Sequence, residues 1–257
     1  MCDQVVFRKW IVQLIFVFVA LFAIGELVAP DQAASAEKTL IIAQAGDVAV
    51  IDNQQSTGPA KTALVQIYQW QWMPWRTIVG SKGSLVVKRE QVPGIIRAWK
   101  TIKKADGTVW KRFHVRPGQV HHSGNSIVAA DFKYSWLRRA GMGKDYLHRF
   151  LGGMYHISPT GKFKRGDPLP KNSPLEKSIK IIDDLTFEVN VKRDMPFFFD
   201  LWGQRVLYDH KLMNSKATAK DPWAKAFAAK NDGGSGPYTI EKWEVGNEMV
   251  LKRFEKY

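Results

Sequence analysis

Residues 108–139 constrain the fold more than any other stretch of the chain. Val109, Lys111, Phe113 and Val115 alternate with Trp110, Arg112, His114 and Arg116. That two-residue period is the mark of a strand with one mostly apolar face. Pro117 and Gly118 end the strand, because proline has no N–H to donate and glycine takes turn dihedrals freely. Ser123, Gly124 and Asn125 make a second turn. A helix is expected from near Ala129, with Phe132, Trp136 and Leu137 on one side and Lys133, Arg138 and Arg139 elsewhere. Val128 stands at its cap position and cannot accept an orphan N–H, which costs about 1 kcal/mol relative to threonine. Asp131, three residues on, can complement the helix dipole.

Similar logic reads the flanking segments. Residues 39–45 (TLIIAQA) form a short apolar run and predict a strand. Asp52, Asn53, Ser56, Gly58 and Pro59 then supply turn-formers. Residues 61–75 predict a helix, with Leu64, Ile67, Tyr68 and Trp72 at helical spacing. Trp70, Trp72 and Trp75 could stack on a ligand or pack into a core, and packing is the commoner use of such aromatics. Residues 104–108 predict a tight hairpin turn with Asp106 and Gly107 at its tip. A second helical run is expected over residues 141–154, then an exposed loop rich in Pro, Gly and Lys over 158–173. Residues 179–191 predict a hairpin: an apolar strand, an Asp183–Asp184 turn, then Leu185, Phe187, Val189 and Val191 alternating with polar residues.

The N-terminal 36 residues bear on the compartment. Arg8 and Lys9 precede an apolar run over residues 10–24, short for a membrane span. Ala34, Ser35 and Ala36 give a small-x-small site. This predicts a secretory signal peptide cut after Ala36, with an uncleaved anchor as the alternative. Cys2 is the single cysteine and would leave with that segment. No disulfide framework or thiol chemistry is then expected.

The formal net charge is +14. Its lysines and arginines are scattered with no long basic block, so nucleic-acid binding is not expected. A basic surface fits work beside an anionic membrane or cell wall. The glycines at 233, 234 and 236 lack a following Lys-plus-hydroxyl pair and a helix N-terminus, so they do not predict a phosphate loop. His114, His121 and His122 invite a metal reading, but His121 and His122 point to opposite faces of an extended chain. No His-Glu-x-x-His or Cys-His spacing exists, so neither a metal nor another cofactor is expected. Nor is there a Gly-x-Ser-x-Gly or a defensible nucleophile–base pair, which argues against an enzyme.

Five blocks, in order, carry a resemblance to a known family. Phe113, Arg116, Gly118, His122, Gly124, Ala129, Asp131, Tyr134 and Ser135 fall in register with a pattern running F-x-L-R-x-G-V-x-F-H-D-G-x-x-x-x-A-x-D-V-x-Y-S. Pro93, Ala98 and Trp99 match an L-x-P-x-L-A-x-S-W passage. The hairpin over residues 179–191 and Met195-Pro196-Phe197-Phe198-Phe199 match two further blocks. Gly236-Pro237-Tyr238 with Trp243, Gly246, Leu251 and Arg253 matches the last. The chain therefore resembles the peptide/nickel-type solute-binding proteins of ABC importers, family 5. It departs at Ser123, where Asp is usual, at His121, where an aromatic is usual, and at Asn53, where Pro is usual.

The resemblance implies an α/β fold of the type II periplasmic-binding-protein kind, truncated to the first lobe with its inserted β-rich subdomain. Residues 37–75 and 205–257 would form the lobe core and residues 76–204 the insert, with the second lobe absent. It implies a monomer in the periplasm, or on the outer face of the cytoplasmic membrane. That monomer would bind oligopeptides between lobes and pass them to an ABC permease; nickel, haem or a sugar are alternative ligands. Ser56, Thr57, Gly58 and Pro59 would border the ligand cleft, and Tyr146 and Trp70 would reach it. Lacking the second lobe, the chain is expected to bind peptides weakly or not at all. The alternative is a truncated remnant or an envelope interaction module that transports nothing.

Overall fold

The computed structural model describes residues 39–43, 46–55, 75–79, 87–142, 173–191 and 206–257. The chain divides into two compact units, Met1–Ala43 and Gln44–Tyr257. Of the first, only residues 39–43 are described. The strand expected over residues 39–45 is absent there: residues 39–43 have no regular structure, and Leu40, Ile41 and Ile42 are exposed. An apolar run becomes a strand only when a neighbouring edge supplies its ladder, and composition alone does not supply the edge.

In the second unit, β1 (Trp75–Val79) and β2 (Val87–Gln91) form an antiparallel pair, with Trp75 opposite Gln91. Trp75 thus opens a strand instead of closing the helix expected over 61–75; residues 61–74 lie outside the described residues. A four-stranded antiparallel sheet follows. It contains β3 (Ile96–Lys103), β4 (Val109–Val115), β5 (Ile179–Asp183) and β6 (Thr186–Val191), in the order β3-β4-β6-β5.

The predicted turns hold. Lys104 N–H donates to the Thr108 carbonyl at 2.9 Å, and the Asp106 carboxylate accepts from the Thr108 N–H and hydroxyl. Gly107, Gly118 and Gly124 have φ of 78°, 76° and 89°, left-handed values that a side chain would strain. β5 and β6 turn at Asp184 and Leu185, one residue beyond the expected Asp183–Asp184 turn, so Asp183 ends β5 and Leu185 precedes β6.

The pleat sends Phe113, Val115, Phe187, Val189 and Val191 into one core. Helix α1 (Ala129–Gly141) covers that face. Phe187 stacks between Phe113 and Phe132, with ring centroids 5.0 and 4.9 Å away, and Trp136 meets it edge-on. Each such buried phenyl stabilises by about 1.5–3 kcal/mol. The short helix α2 (Pro174–Lys177) leads into β5.

The far side of α1 meets a second core, built from Tyr134, Met142, Val206, Tyr208, Met213, Trp223 and Ala228. Two short helices border it, α3 (His210–Lys216) and α4 (Lys225–Ala228). No apolar period foretells α3. Its start is set by Asp209, whose carboxylate accepts from the Lys211 and Leu212 N–H groups. A final ribbon, β7 (Tyr238–Glu244) with β8 (Glu248–Arg253), turns at Gly246 and rests Ile240, Trp243, Met249 and Leu251 on Val48 and Ile51.

Candidate functional site

The face of α1 turned from the sheet is buried yet polar. Asp131, Ser135 and Arg138 recur at helical spacing and are shielded from solvent. Three segments are fastened to this stripe or to the turn that leads into it.

One is the segment ending at Gln55. Arg138 is fully buried and aims its guanidinium at Asp52: Nη2 lies 2.6 Å from Oδ2 and Nη1 3.2 Å from Oδ1. Nη1 also donates to Gln54 Oε1 at 2.8 Å, and Nε to the Trp223 carbonyl at 2.9 Å. The Tyr208 ring lies 4.7 Å from the guanidinium carbon, and its hydroxyl donates to Asp52. Gln54 Nε2 reaches the Ser135 carbonyl, while Gln55 Nε2 donates to Asp52 and to the Lys225 carbonyl. Burial pushes the Asp52 carboxyl up, but the charge and hydrogen bonds of Arg138 outweigh it and hold the group below its ordinary value. The same pairing holds Arg138 above its ordinary value despite burial. Burial pushes the neighbouring Tyr134 phenol up to about 12.

The second is the turn segment before α1. Asp131 reaches back to accept from Val128 N–H at 2.7 Å, and the Ala129 N–H of the first turn donates to the Asp184 carbonyl, also at 2.7 Å. Its other oxygen accepts from His210 N–H and lies 2.6 Å from His210 Nδ1. His121, with no exposed surface, places Nε2 3.1 Å from Asp131 Oδ2, near enough for charge attraction although angled away from a good hydrogen bond. Burial pushes Asp131 up; the pull of His121 and His210 is stronger and sets it at about 2. Asp209 Oδ2 accepts from Ser123 Oγ and Asn125 Nδ2, tying this turn to α3. So Ser123, which replaces the usual aspartate, meets an aspartate from elsewhere in the chain.

The third is the glycine-rich segment. His122 is gripped at both ring nitrogens, by Asp232 Oδ2 at 2.8 Å and the Gly236 carbonyl at 2.9 Å. Its ring meets Phe254 edge-on. His121 and His122 therefore serve different partners, as their opposite faces require.

His121, Asp131 and Asp209 bring one ligand atom each within 4.8 Å of one another, a spacing that could hold a cation. Yet both oxygens of each carboxylate already accept N–H or O–H donors. In this arrangement the cluster anchors a turn.

The expected ligand residues Ser56, Thr57, Gly58, Pro59, Trp70 and Tyr146 lie outside the described residues. What is described is the fastening of residues 52–55, immediately before the first four. Sequence reading passed over Arg138 because helical periodicity scores apolar positions; the i, i+4, i+7 spacing of Asp131, Ser135 and Arg138 carried the signal.

Residues 90–257 match the family described as bacterial extracellular solute-binding proteins, family 5 Middle. The periplasmic oligopeptide-binding protein OppA of Escherichia coli is 27% identical over 165 residues, 64% of this chain and 28% of that protein. The dipeptide-binding protein DppE of Bacillus subtilis is 23% identical over 187 residues, 72% of this chain and 32% of that protein. The chain thus spans about a third or less of the curated relatives it matches. Among solved structures, the substrate-binding domain of an oligopeptide ABC transporter from Bacillus anthracis superposes with a TM-score of 0.58 at 18% identity. That match covers 82% of this chain and 36% of the other. A periplasmic oligopeptide-binding protein from Borrelia burgdorferi gives 0.58 at 20%, covering 82% and 38%. These likenesses make the fold that of the type II periplasmic binding proteins.

Proposed function

Since the chain belongs to family 5 of the bacterial extracellular solute-binding proteins, we propose that it acts as the extracytoplasmic substrate-binding component of an ABC importer. Its ligand is an oligopeptide or a related small solute, and its partner is a membrane permease. Residues 1–36 act as its signal peptide. Residues 37–75 and 205–257 form a lobe core, and residues 76–204 an inserted subdomain. The observation that carries the ligand class is that relatives matching most of this chain are named for binding oligopeptides and dipeptides. These relatives are substrate-binding proteins, and the residues described above hold and position; they do not assemble a nucleophile with a base.

Ligand contact falls to Ser56, Thr57, Gly58 and Pro59, with Trp70 and Tyr146. The clamp of Arg138 on Asp52 and Gln54, with Gln55 tied in turn to Asp52, supports this reading, because it fixes the segment that leads into those residues. Binding works by population shift: a ligand that touches both sides of a cleft favours the closed arrangement by its differential affinity for it.

The test is an amide NMR titration of the chain with tripeptides to pentapeptides. Saturable shifts at residues 56–58, Trp70 and Tyr146 are expected even if affinity is only about millimolar. Shifts confined to other residues, or none at all, would overturn the assignment.

A further inference from the structure

The sheet has a second face, turned away from its core, and it is basic. Register sets Lys100 opposite Arg112, Arg112 opposite Glu188, and Glu188 opposite Lys180. One row across four strands thus carries three cations and one carboxylate. It spans three interstrand spacings, about 14 Å. Lys104, just beyond β3, adds a fourth cation and shares Glu188 with Arg112. Burial pushes Glu188 up, but its bonds to Arg112 and Lys104 hold it below its ordinary value, so its single charge is committed to those two. Among the described residues, neither Lys100 nor Lys180 has an acidic partner, and both side chains are exposed. Asp183, at the end of the sheet, is engaged with the Leu185 N–H.

Lys104 and Lys180 also converge on one ring. Their Nζ atoms lie 4.1 and 4.6 Å from the centre of Trp110, which is itself shielded from solvent. Two ammonium groups drawn to one indole repel each other, and an outside anion between them relieves that repulsion. The face is a broad pleated surface, so it suits an extended anionic plane.

We propose that this outer sheet face seats the chain on an anionic lipid bilayer through Lys100, Lys104, Arg112 and Lys180. The choice of a bilayer over other polyanions rests on the proposed delivery to a membrane permease. Ile182 on β5 is an exposed apolar side chain near Lys180, but contact is chiefly by charge, because Trp110 is already covered and has no ring surface to insert. It therefore weakens as salt shortens the Debye length from about 30 Å at 0.01 M to about 8 Å at 0.15 M.

The test is cosedimentation of the full chain with phosphatidylglycerol vesicles and with phosphatidylcholine vesicles. Any contribution of the N-terminal apolar run is common to both lipids, so their difference reads the charged face. A Lys100→Glu/Lys180→Glu variant should lose about tenfold or more of the phosphatidylglycerol excess, whereas Lys252→Glu on β8 should change it about twofold at most. Circular dichroism should show both variants folded, since all three lysines are exposed. An unchanged excess in the double variant overturns the proposal. So does poly-glutamate releasing the chain from vesicles better than sodium chloride of matched ionic strength, which would assign the face to an acidic protein. A chain that fails here yet shows the peptide-induced NMR shifts loses this inference and keeps the function; the converse outcome separates them the other way.

Discussion

Replacing Arg138 with methionine keeps most of the side-chain volume and removes the guanidinium from a site without solvent. Asp52 then stays buried with no cation, and the Trp223 carbonyl and Gln54 amide oxygen each lose a donor. Breaking a buried pair from one side costs about 3–5 kcal/mol, most of it the stranded charge. That is a large part of the roughly 5–15 kcal/mol that holds a domain together. At about 2–4 °C per kcal/mol, the melting temperature should fall by about 10 °C. The pH dependence adds a signature. In the native protein the folded Asp52 pKa is depressed below 3.8, so its contribution is present above 3.8 and lost as pH falls through the folded value. In Arg138→Met the charge of Arg138 is gone and burial is opposed only by the hydrogen bonds from Tyr208, Gln55 and the Gln54 N–H, so the folded pKa rises and the variant loses less stability than the parent as pH drops. The difference between the two proteins should thus shrink from pH 7 toward pH 4. Urea titrations followed by tryptophan fluorescence measure it, and an Asp52→Leu/Arg138→Met double variant should recover most of the loss. A loss under about 1 kcal/mol, or a double variant no better than the single, would refute the reasoning.

Gly141→Ala would place a Cβ 2.5 Å from the Trp223 indole, so thermal melts should show about 1–3 kcal/mol of destabilisation, relieved by Trp223→Leu. Asp131→Asn should cost about 2 kcal/mol at neutral pH, because the drop from 3.8 to about 2 measures how much better the folded site holds the carboxylate. That contribution is lost as pH falls from 3.8 through about 2, so acid unfolding curves of variant and parent should converge there. Asp209→Ala removes the α3 cap and the partner of Ser123 and Asn125; amide exchange should speed up at residues 210–213 and at the 121–125 turn together, by about tenfold or more.

The strands and tight turns were legible because their signals are local. Alternation at residues 109–115 and 186–191 sets the faces, and Gly107, Gly118 and Gly124 stand where φ is positive. The strand expected at residues 39–45 failed because β structure needs an edge that no local pattern provides. α3 was missed because HKLMNSK carries no apolar stripe and its cap, Asp209, is a single residue. The buried polar stripe of α1 was missed for a deeper reason. Arg138 reads as a surface residue until Asp52, Gln54 and Trp223 are brought to it, and nothing near Arg138 in sequence announces them.

That last feature bears on how the chain acquires its structure in time. The pair between Asp52 and Arg138 spans 86 residues, and the bond between Tyr208 and Asp52 spans 156. Loop-closure entropy must be met before either contact returns anything, and an unpaired Arg138 cannot enter the core early without severe desolvation. The hairpins can form while synthesis continues; the polar lock closes last, after residue 223 has emerged. A chain whose final lock needs residues 208 and 223 stays loose until both are available to it.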